Sequence, residues 1–198
     1  MSSPSLDELI TSLKCLPGVG QKSAQRMALH LLEREQAGAK RISTAILNAI
    51  DTVKHCQRCR NFSDDAVCEI CRDEGRDQAT LCVVETPADV LAVESSAAYR
   101  GRYFVLLGRL SPLDGYGPGQ LGIDELEQQF GDGDIREVIL ATSATVEGDI
   151  TAQYIADCAA RHGIKSSRLA RGIPLGGELE FVDSGTLSKA LSGRQEID

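Results

Sequence analysis

The sequence predicts an α+β protein of several parts: a helical N-terminal module, a small cysteine motif, an α/β layer with a mostly parallel sheet, and a C-terminal arm. Three observations lead to this fold class. Apolar residues recur at helical spacing up to residue 55, four cysteines then cluster, and short apolar runs alternate with helical patterns after residue 79. We place the four parts at residues 1–55, 56–78, 79–174 and 175–198.

The N-terminal module is predicted to contain three helices. The first has its apolar residues at helical spacing from Leu6, takes Ser5 as its cap, and stops at the segment Leu16-Pro17-Gly18-Val19-Gly20. The third covers Ile42 to Val53. The second runs from about Gln21 to Arg34 and is expected to turn inward the apolar residues Ala24, Met27, Ala28, Leu31 and Leu32.

The region after residue 79 changes to short apolar runs, which are typical of strands covered on both faces of a sheet. Such strands are expected at residues 81–84, 103–107 and 138–141, with a further one around 167–170. Helical patterns lie between and beyond them, at residues 88–95, 123–130 and 150–162. Residues 109–122 are rich in Gly and Pro and are interpreted as an ordered surface loop, and the C-terminal arm is expected to end in a short helix.

Composition limits the class of protein. The chain has 198 residues, of which 42% are apolar and 25% charged, and it lacks the apolar run of about 18 residues that a membrane span needs. The N-terminus has neither a basic nor an apolar segment of the kind found in secretory signals, so we expect a cytoplasmic protein.

The net charge of −8 is unevenly distributed. Residues 1–55 carry seven Lys or Arg and five Asp or Glu, whereas residues 79–198 carry ten and eighteen. An acidic protein can still bind DNA through a local basic module, and the first 55 residues are where such contacts are expected.

The strongest motif is Cys56-x2-Cys59-x8-Cys68-x2-Cys71. Two Cys-x-x-Cys pairs supply the four thiolates of a tetrahedral Zn²⁺ site, and four sulfur ligands leave no position for an activated water. We therefore predict one structural zinc per chain; a redox pair or ordinary buried cysteines are the alternative. His55 is interpreted as a flanking residue. The other cysteines are expected to be small buried hydrophobic residues: Cys15, Cys82 and Cys158.

A second motif lies between the first two helices. Gly18 and Gly20 allow a sharp turn that leaves backbone N–H groups pointing outward at a helix N-terminus, where anions bind. Lys22 and Arg26 follow four residues apart on one face of the helix, within reach of the same phosphate backbone. This is the helix-hairpin-helix pattern of sequence-independent DNA binding, although Gly-x-Gly also closes ordinary helical hairpins. The motif lacks the spacing of a dinucleotide or phosphate-binding loop.

A third group of residues is acidic. Glu85 ends the first predicted strand and Asp89 follows it, while Glu147 and Asp149 follow the strand at 138–141 in what is expected to be an exposed loop. Open α/β sheets place their sites at the carboxyl ends of strands. Converging carboxylates there would bind Mg²⁺, and solvated acids that cap helices would give the same pattern.

Three further stretches complete the pattern: Ser111-Pro112-Leu113-Asp114-Gly115, Thr145-Val146-Glu147-Gly148, and Ala170-Arg171-Gly172-Ile173-Pro174-Leu175-Gly176-Gly177. With the hairpin, the four cysteines and the acidic sheet in this order, the whole chain resembles the RecR family of bacterial recombination mediators. The resemblance implies that the sheet is a Toprim domain, the fold shared with type IA topoisomerases and bacterial primases.

The chain departs from the catalytic Toprim pattern. Glu85 fits the first acid of that pattern, but Ser143 and Thr145 stand where catalytic members carry an Asp-x-Asp pair. Losing two charges that bind metal would remove most transition-state stabilisation, so no enzymatic activity is expected. Glu85, Asp89, Glu147 and Asp149 are then interpreted as a surface that binds the partner RecO.

The resemblance further implies a non-catalytic factor that acts with RecO and RecF to load recombinase at single-stranded gaps. It implies a ring-like homotetramer that encircles single- or double-stranded DNA at the nucleoid, with Lys22 and Arg26 lining the hole. The N-terminal modules would pair between subunits and the arm would add contacts. Two alternatives stay open: a Mg²⁺-dependent Toprim nuclease, and a zinc-containing scaffold without DNA contact.

Overall fold

The computed structural model describes residues 3–111, 115–170, 172–174 and 176–194. The chain divides into two compact units, Met1–Val53 and Lys54–Asp198. Residues 112–114, 171 and 175, which belong to the stretches that carry the family resemblance, lie outside the described residues, as do residues 195–198 of the predicted arm.

The first unit consists of three helices, as the sequence predicts: α1 (Pro4–Leu13), α2 (Gln21–Glu33) and α3 (Gln36–Thr52). The prediction that Ser5 caps α1 is wrong, because Ser3 is the N-cap and Pro4 is the first helical residue. Proline suits that position since its φ is already helical and its missing N–H would have no partner there.

The hydrophobic core of the first unit is small. Ile10, Ala24 and Ala28 are buried where α1 packs against α2. The predicted inner face of α2 is only partly correct, because Met27 and Leu32 remain 37% and 44% exposed. The two alanines bring the helices close together, and the larger side chains beside them lie at the rim of the contact.

Helix α3 begins at Gln36, six residues before the predicted start at Ile42. Residues 36–41, which precede the predicted start, contain no apolar repeat, so helical periodicity does not predict that they belong to the helix. Glu35 is the N-cap of the helix, and its carboxylate accepts a 3.0 Å hydrogen bond from the backbone N–H of Gly38.

The second unit opens with the cysteine region. A two-stranded antiparallel ribbon pairs β1 (Lys54–His55) with β2 (Phe62–Ser63), and a single helical turn, α4 (Glu69–Arg72), follows. The second pair of cysteines brackets the start of this turn, with Cys68 as its N-cap and Cys71 inside it.

A four-stranded parallel sheet forms the centre of the second unit, which confirms the predicted α/β layer. Its strands are β3 (Asp77–Val84), β4 (Gly101–Val105), β5 (Glu137–Ala141) and β6 (Lys165–Arg168), in the order β4-β3-β5-β6. The last strand begins two residues earlier than predicted. It is an edge strand with the sequence Lys-Ser-Ser-Arg, which contains no apolar residue to mark it.

Helices cover the sheet: α5 (Pro87–Ser95), α6 (Ile123–Gly131) and α7 (Val146–Arg161). The larger core contains Phe104, Leu126 and Ile155. A second core, which contains Val84 and Val90, lies on the other face of the sheet. The arm forms a 3₁₀ turn, Leu179–Phe181, and then α8 (Ser184–Ser192), in agreement with the predicted short terminal helix.

Helix α7 begins at Val146, so the predicted loop position of Glu147 and Asp149 is wrong. Thr145 caps the helix and accepts a 3.1 Å hydrogen bond from the Gly148 N–H. Both acids therefore lie in the first helical turn, where negative charge is favourable because the helix dipole is positive at that end.

The isolated cysteines divide into two groups. Cys82 and Cys158 are buried in the second unit, as predicted. Cys15 is exposed, which contradicts the prediction, because it lies in the turn after α1 and outside the helix contact. Among the described residues, no helix combines the length and hydropathy needed to cross a membrane.

Candidate functional site

The four predicted metal-binding cysteines come together. The Sγ atoms of Cys56, Cys59, Cys68 and Cys71 all lie within 4.8 Å of one another, and all four residues are buried. The Sγ atoms of Cys59 and Cys68 are 3.5 Å apart. Tetrahedral zinc with bonds of about 2.3 Å requires sulfurs about 3.8 Å apart, so this cluster fits a zinc ion.

Backbone N–H donors beside the cluster favour a sulfur anion at Cys56. Cys56 Sγ accepts hydrogen bonds from the backbone N–H groups of Arg58 at 3.4 Å and Cys68 at 3.3 Å. The hydrogen bond between the two thiols lowers the pKa of Cys68 and raises the pKa of Cys59. His55 lies outside the cluster, where its ring stacks on Phe62 at 5.2 Å.

The cluster is attached to the sheet through its first cysteine pair. The backbone N–H of Val105 in β4 donates to the Cys59 carbonyl at 2.8 Å, and the Gln129 amide in α6 donates to the Arg58 carbonyl at 2.7 Å. Arg58 in turn donates to the Cys71 carbonyl at 3.1 Å and so joins the two cysteine pairs. The cysteine region and the sheet therefore share one hydrogen-bond network.

The hairpin between α1 and α2 has the predicted sharp turn. Gly18 adopts the left-handed region with φ +77°, a conformation that residues with a side chain rarely take, and Gly20 is the N-cap of α2. No side-chain cap bonds to the first N–H groups of α2 in the described structure. Lys22 and Arg26 follow on exposed positions of this helix.

The basic row on α2 is longer than the motif that predicts it. His30 and Arg34 continue the four-residue spacing of Lys22 and Arg26, and both are exposed. These residues line a shallow groove together with Gln25, Leu29 and Glu33. Sequence reasoning missed the two additional residues, although their spacing is visible in the sequence.

Glu85 lies at the carboxyl end of β3 and is only 9% exposed. Its Oε1 accepts two hydrogen bonds of 2.8 Å from Ser143, one from the backbone N–H and one from the hydroxyl. Arg109 approaches the other carboxylate oxygen at 4.0 Å. The structure therefore brings the ends of β3 and β5 together at Glu85, as expected for adjacent parallel strands.

The other three acids have separate surroundings. Asp89 forms a capping box with Thr86 at the start of α5, with its carboxylate accepting from the Thr86 N–H at 2.8 Å. Asp149 accepts a 2.5 Å hydrogen bond from Arg168, and the Lys189 ammonium lies 4.0 Å away. Glu147 is half-buried in the first turn of α7. Arg168 and Lys189 are basic residues that sequence reasoning did not connect with this edge.

The residues at the Toprim acid positions do not fit a magnesium ion. Mg²⁺ prefers carboxylate oxygens and water in octahedral geometry. Here Ser143 donates two hydrogen bonds to Glu85 Oε1, and its hydroxyl also lies 3.0 Å from the Thr145 hydroxyl. Two hydroxyls and a carboxylate whose oxygen already accepts two donors are a poor ligand set for this cation.

A cleft of about 250 Å³ adjoins Glu85. The cleft is lined by Glu85, Thr86, Leu107, Gly108, Arg109, Ser111 and Tyr116. Leu107 has φ +61°, a left-handed conformation that is strained for a bulky residue. Backbone strain of this kind is found where a fold holds a particular shape for binding.

Comparison with protein families matches each part of the chain. The RecR helix-hairpin-helix model matches residues 6–50, and the RecR model for a zinc finger domain with four cysteines matches residues 53–73. The Toprim domain model matches residues 79–170, and the RecR C-terminal model matches residues 172–195.

Curated relatives match over essentially the whole chain. The chain is 57% identical over 197 residues to the recombination protein RecR of Saccharophagus degradans, with all of both chains covered. It is 56% identical to RecR of Xanthomonas campestris pv. campestris, covering 97% of this chain and 98% of the relative, and 54% identical to RecR of Xylella fastidiosa, with full coverage of both. The chain belongs to the RecR family of recombination proteins.

Proposed function

We propose that this chain is a non-catalytic recombination mediator that holds DNA by its phosphates and acts with RecO and RecF to load recombinase at single-stranded gaps. The observation that carries the proposal is the exposed pair Lys22 and Arg26 on the first turns of α2, directly after the glycine turn. Cations and free backbone N–H groups on one short surface suit a phosphate backbone. A protein with this role works at the nucleoid in the cytoplasm.

Phosphate contacts explain why the DNA sequence would not matter. Arg and Lys contacts to phosphate fix position on the strand but read no base edges. The same contacts are available on single- and double-stranded DNA, so both are proposed ligands. The row from Lys22 to Arg34 spans twelve residues, or about 18 Å of helix. This length would extend the surface that contacts phosphate beyond the hairpin.

The carboxyl edge of the sheet is the proposed binding site for RecO. Glu85, Asp89, Glu147 and Asp149 supply negative charge at the edge where open α/β sheets bind their ligands. The basic residues Arg109 and Arg168 lie against two of these acids, so this edge offers charges of both signs to a protein partner.

The zinc ion is proposed to be structural, with one ion per chain held by Cys56, Cys59, Cys68 and Cys71. Four buried sulfur ligands fill a tetrahedral site, so no ligand position is left for a substrate or an activated water. Zinc would stabilise the cysteine region, which has little hydrophobic core apart from the cysteines, Val67 and Ile70.

The assembly is proposed to be a ring-like homotetramer. Helix α3 exposes the apolar residues Ile42, Ile46, Leu47 and Ile50, and the arm exposes Leu179, Phe181 and Leu191. Contiguous exposed apolar residues favour association, and pairing of the modules through α3 in a second copy would bury them. A ring lined by basic residues also explains how a chain of net charge −8 holds a polyanion.

The division of labour follows the four proposed parts of the chain. Residues 1–55 would bind DNA and pair with another subunit, and residues 56–78 would hold zinc. Residues 79–174 would bind RecO, and residues 175–198 would contribute further contacts between subunits.

The test is a DNA-binding titration at several salt concentrations. Replacing Lys22 and Arg26 with glutamate should abolish retention of labelled single- and double-stranded DNA, because four units of charge change on the proposed contact surface. The unmodified chain should lose affinity steeply as salt rises, since each phosphate contact adds about 0.7 to 0.9 to the salt slope.

The matched control changes the same charge in the same unit. Lys40 and Arg41 are exposed on α3, and Arg41 makes a surface ion pair with Glu35 at 3.5 Å. Their double replacement with glutamate should weaken DNA binding far less. Equal losses in the two variants would refute the proposed contact surface, and unchanged binding in the Lys22 and Arg26 variant would move the DNA site to another part of the chain.

A further inference from the structure

Arg60 is the residue directly after the first cysteine pair. Its backbone adopts the left-handed region with φ +62°, which is unusual for a residue with a long side chain. The conformation closes the cysteine turn, because the Arg60 N–H donates to the Cys56 carbonyl at 2.9 Å. The His55 ring bonds to the Arg60 carbonyl at 2.9 Å and fixes the other side of the residue.

The Arg60 side chain leaves the cysteine region and reaches the loop before α6. Its Nη1 donates to the Leu121 carbonyl, and its Nη2 donates to the Gln120 carbonyl at 3.3 Å. The guanidinium carbon lies 5.6 Å from the centre of the Phe104 ring in β4. Burial lowers the pKa of Arg60, whereas the negative charge of Glu125 opposes this shift. The guanidinium remains a cation at neutral pH.

The loop is shaped to receive this side chain. Gly122 has φ +67°, and a Cβ atom at this position would overlap the Arg60 guanidinium. The preceding residue, Leu121, is completely buried in the larger core. The chain therefore bends sharply at the point where Arg60 meets it, and glycine satisfies both the bend and the close approach.

The same loop forms one wall of the cleft beside Glu85. Leu121 and Tyr116 both contact the position of Gly108, where an added Cβ would lie 3.3 Å and 3.7 Å from their side chains. Tyr116 is joined to Ser111 by two backbone hydrogen bonds of 3.0 Å. Gly108 itself donates to the Glu85 carbonyl at 3.1 Å, so a shift of Leu121 would alter the cleft.

We propose that Arg60 is a positioning residue that ties the cysteine cluster to residues 115–122 and thereby holds the cleft beside Glu85 in its binding shape. The turn closed by the Arg60 N–H and the Cys56 carbonyl directs the Arg60 side chain, which holds the loop through the Leu121 and Gln120 carbonyls. A metal ion held by the four cysteines would stabilise that turn. The part of this inference that concerns RecO rests on the proposed function of the acidic edge.

The chemistry of the contact requires arginine. Two neighbouring carbonyls, those of Gln120 and Leu121, accept from two nitrogens of one planar group. Lysine carries a single ammonium and cannot span both carbonyls in this geometry, and it does not stack on Phe104 as a guanidinium does.

The experiment measures amide hydrogen exchange on the full-length, zinc-loaded chain. Arg60→Met removes the guanidinium and keeps the aliphatic stem, whereas Arg60→Lys keeps the charge. Arg72→Met is the matched control, because Arg72 also lies in the cysteine region but its side chain is 53% exposed and makes a surface ion pair with Asp65. Zinc content is measured on each variant.

The expected result is exchange about tenfold faster or more at the amides of residues 116–123 in Arg60→Met, with zinc content unchanged. The exchange rates in Arg60→Lys should lie between those in Arg60→Met and those in the unmodified chain. The rates in Arg72→Met should match those in the unmodified chain. Unchanged protection of this segment in Arg60→Met would overturn the inference. Equal loss of protection in Arg72→Met would also overturn it, because the effect would then be general to the cysteine region.

RecO capture by the same variants extends the test to the partner. Arg60→Met should bind RecO about tenfold more weakly and retain DNA normally, since the DNA contacts are proposed for the first unit. Normal RecO binding with a deprotected loop would overturn the role of Arg60 in the binding shape. A failure of the unmodified chain to bind RecO would refute the proposed function of the edge, and hydrogen exchange would still decide whether Arg60 orders the loop.

Discussion

The two units of the chain bury their apolar residues to very different extents. The described part of the first unit contains a buried cluster of Ile10, Ala24 and Ala28, two of which are alanines. The second unit buries large side chains on both faces of its sheet, among them Tyr103 and Phe104, and adds the cysteine cluster. The second unit therefore has an extensive core of its own, whereas much of the apolar surface of the first remains open.

The difference indicates what each unit needs for stability. Burying a Leu or Ile side chain contributes roughly 1.5–3 kcal/mol, and α3 leaves Ile46, Leu47 and Ile50 more than half exposed. Association with a second copy would bury this surface. The second unit has its own core, and a metal held by the cysteine cluster would add to its stability.

Loss of the metal should give the largest effect. Cys59→Ala removes a buried, proposed zinc ligand whose carbonyl also accepts a hydrogen bond from β4. In small metal modules a zinc-binding free energy of about 10 kcal/mol contributes directly to folding. We expect the zinc content to fall and the melting temperature of the second unit to drop strongly, measured by calorimetry with metal analysis.

The control for this prediction is another cysteine. Cys15 is exposed in the first unit and lies outside the cluster, so Cys15→Ala should leave zinc content and melting unchanged. A Cys59→Ala protein that melts like the unmodified chain would contradict the assignment of zinc as a stabilising ion.

Disruption of the α3 face should give the next effect. Ile50→Asp puts a charge on the proposed subunit contact, so native mass measurement should detect a species smaller than the proposed tetramer. The free subunit should be little affected, because surface substitutions usually change stability by less than about 0.5 kcal/mol. Leu91→Asp on α5 is the matched control, since Leu91 and Ile50 are both 71% exposed. An unchanged mass for Ile50→Asp would place the contact elsewhere.

The smallest effect concerns a partly buried ion pair in the second unit. The Arg76 side chain is 11% exposed and donates to Glu94, which also accepts from the Tyr103 hydroxyl at 2.6 Å. The Arg76 hydrogen bond lowers the pKa of Glu94 below its ordinary value of 4.5. Because the pKa of Glu94 is lower in the folded state, the ionised carboxylate stabilises the protein at pH values above 4.5. This stabilisation is lost as the pH falls through the folded-state pKa.

Glu94→Gln should therefore cost about 1–3 kcal/mol of unfolding free energy at pH 7 and less at pH 3. Urea unfolding at the two pH values measures the difference. Glu74→Gln, a change at an exposed carboxylate, is the control and should have little effect at either pH. A cost for Glu94→Gln that is the same at both pH values would contradict the role of the ionised carboxylate.

Local patterns predicted most of the fold. The apolar runs of β3, β4 and β5 identify buried parallel strands because such strands are covered on both faces. Where a pattern is absent, prediction failed: β6 is a polar edge strand, and the first turns of α3 depend on a cap at Glu35. The cysteine cluster was predictable because metal geometry fixes the spacing of its ligands.

The candidate site was less predictable because its contacts join distant parts of the chain. Ser143 lies 58 residues from Glu85, and Arg60 lies 61 residues from Leu121. No spacing rule connects such residues, since the sheet order and the loop bend bring them together. The acids themselves were found from their positions after predicted strands, but their basic neighbours were not.

DNA binding and RecO binding are proposed for different units, and DNA retention and RecO capture measured on one variant test that separation. Replacing Glu147 and Asp149 with alanine should weaken RecO capture while DNA retention stays normal or rises slightly at low salt, because two negative charges are removed. The matched control replaces Asp132 and Asp134, exposed acids that precede β5 at the opposite edge of the sheet, and should capture RecO normally. Full RecO capture by a normally melting Glu147 and Asp149 variant would contradict the assignment of this edge to the partner.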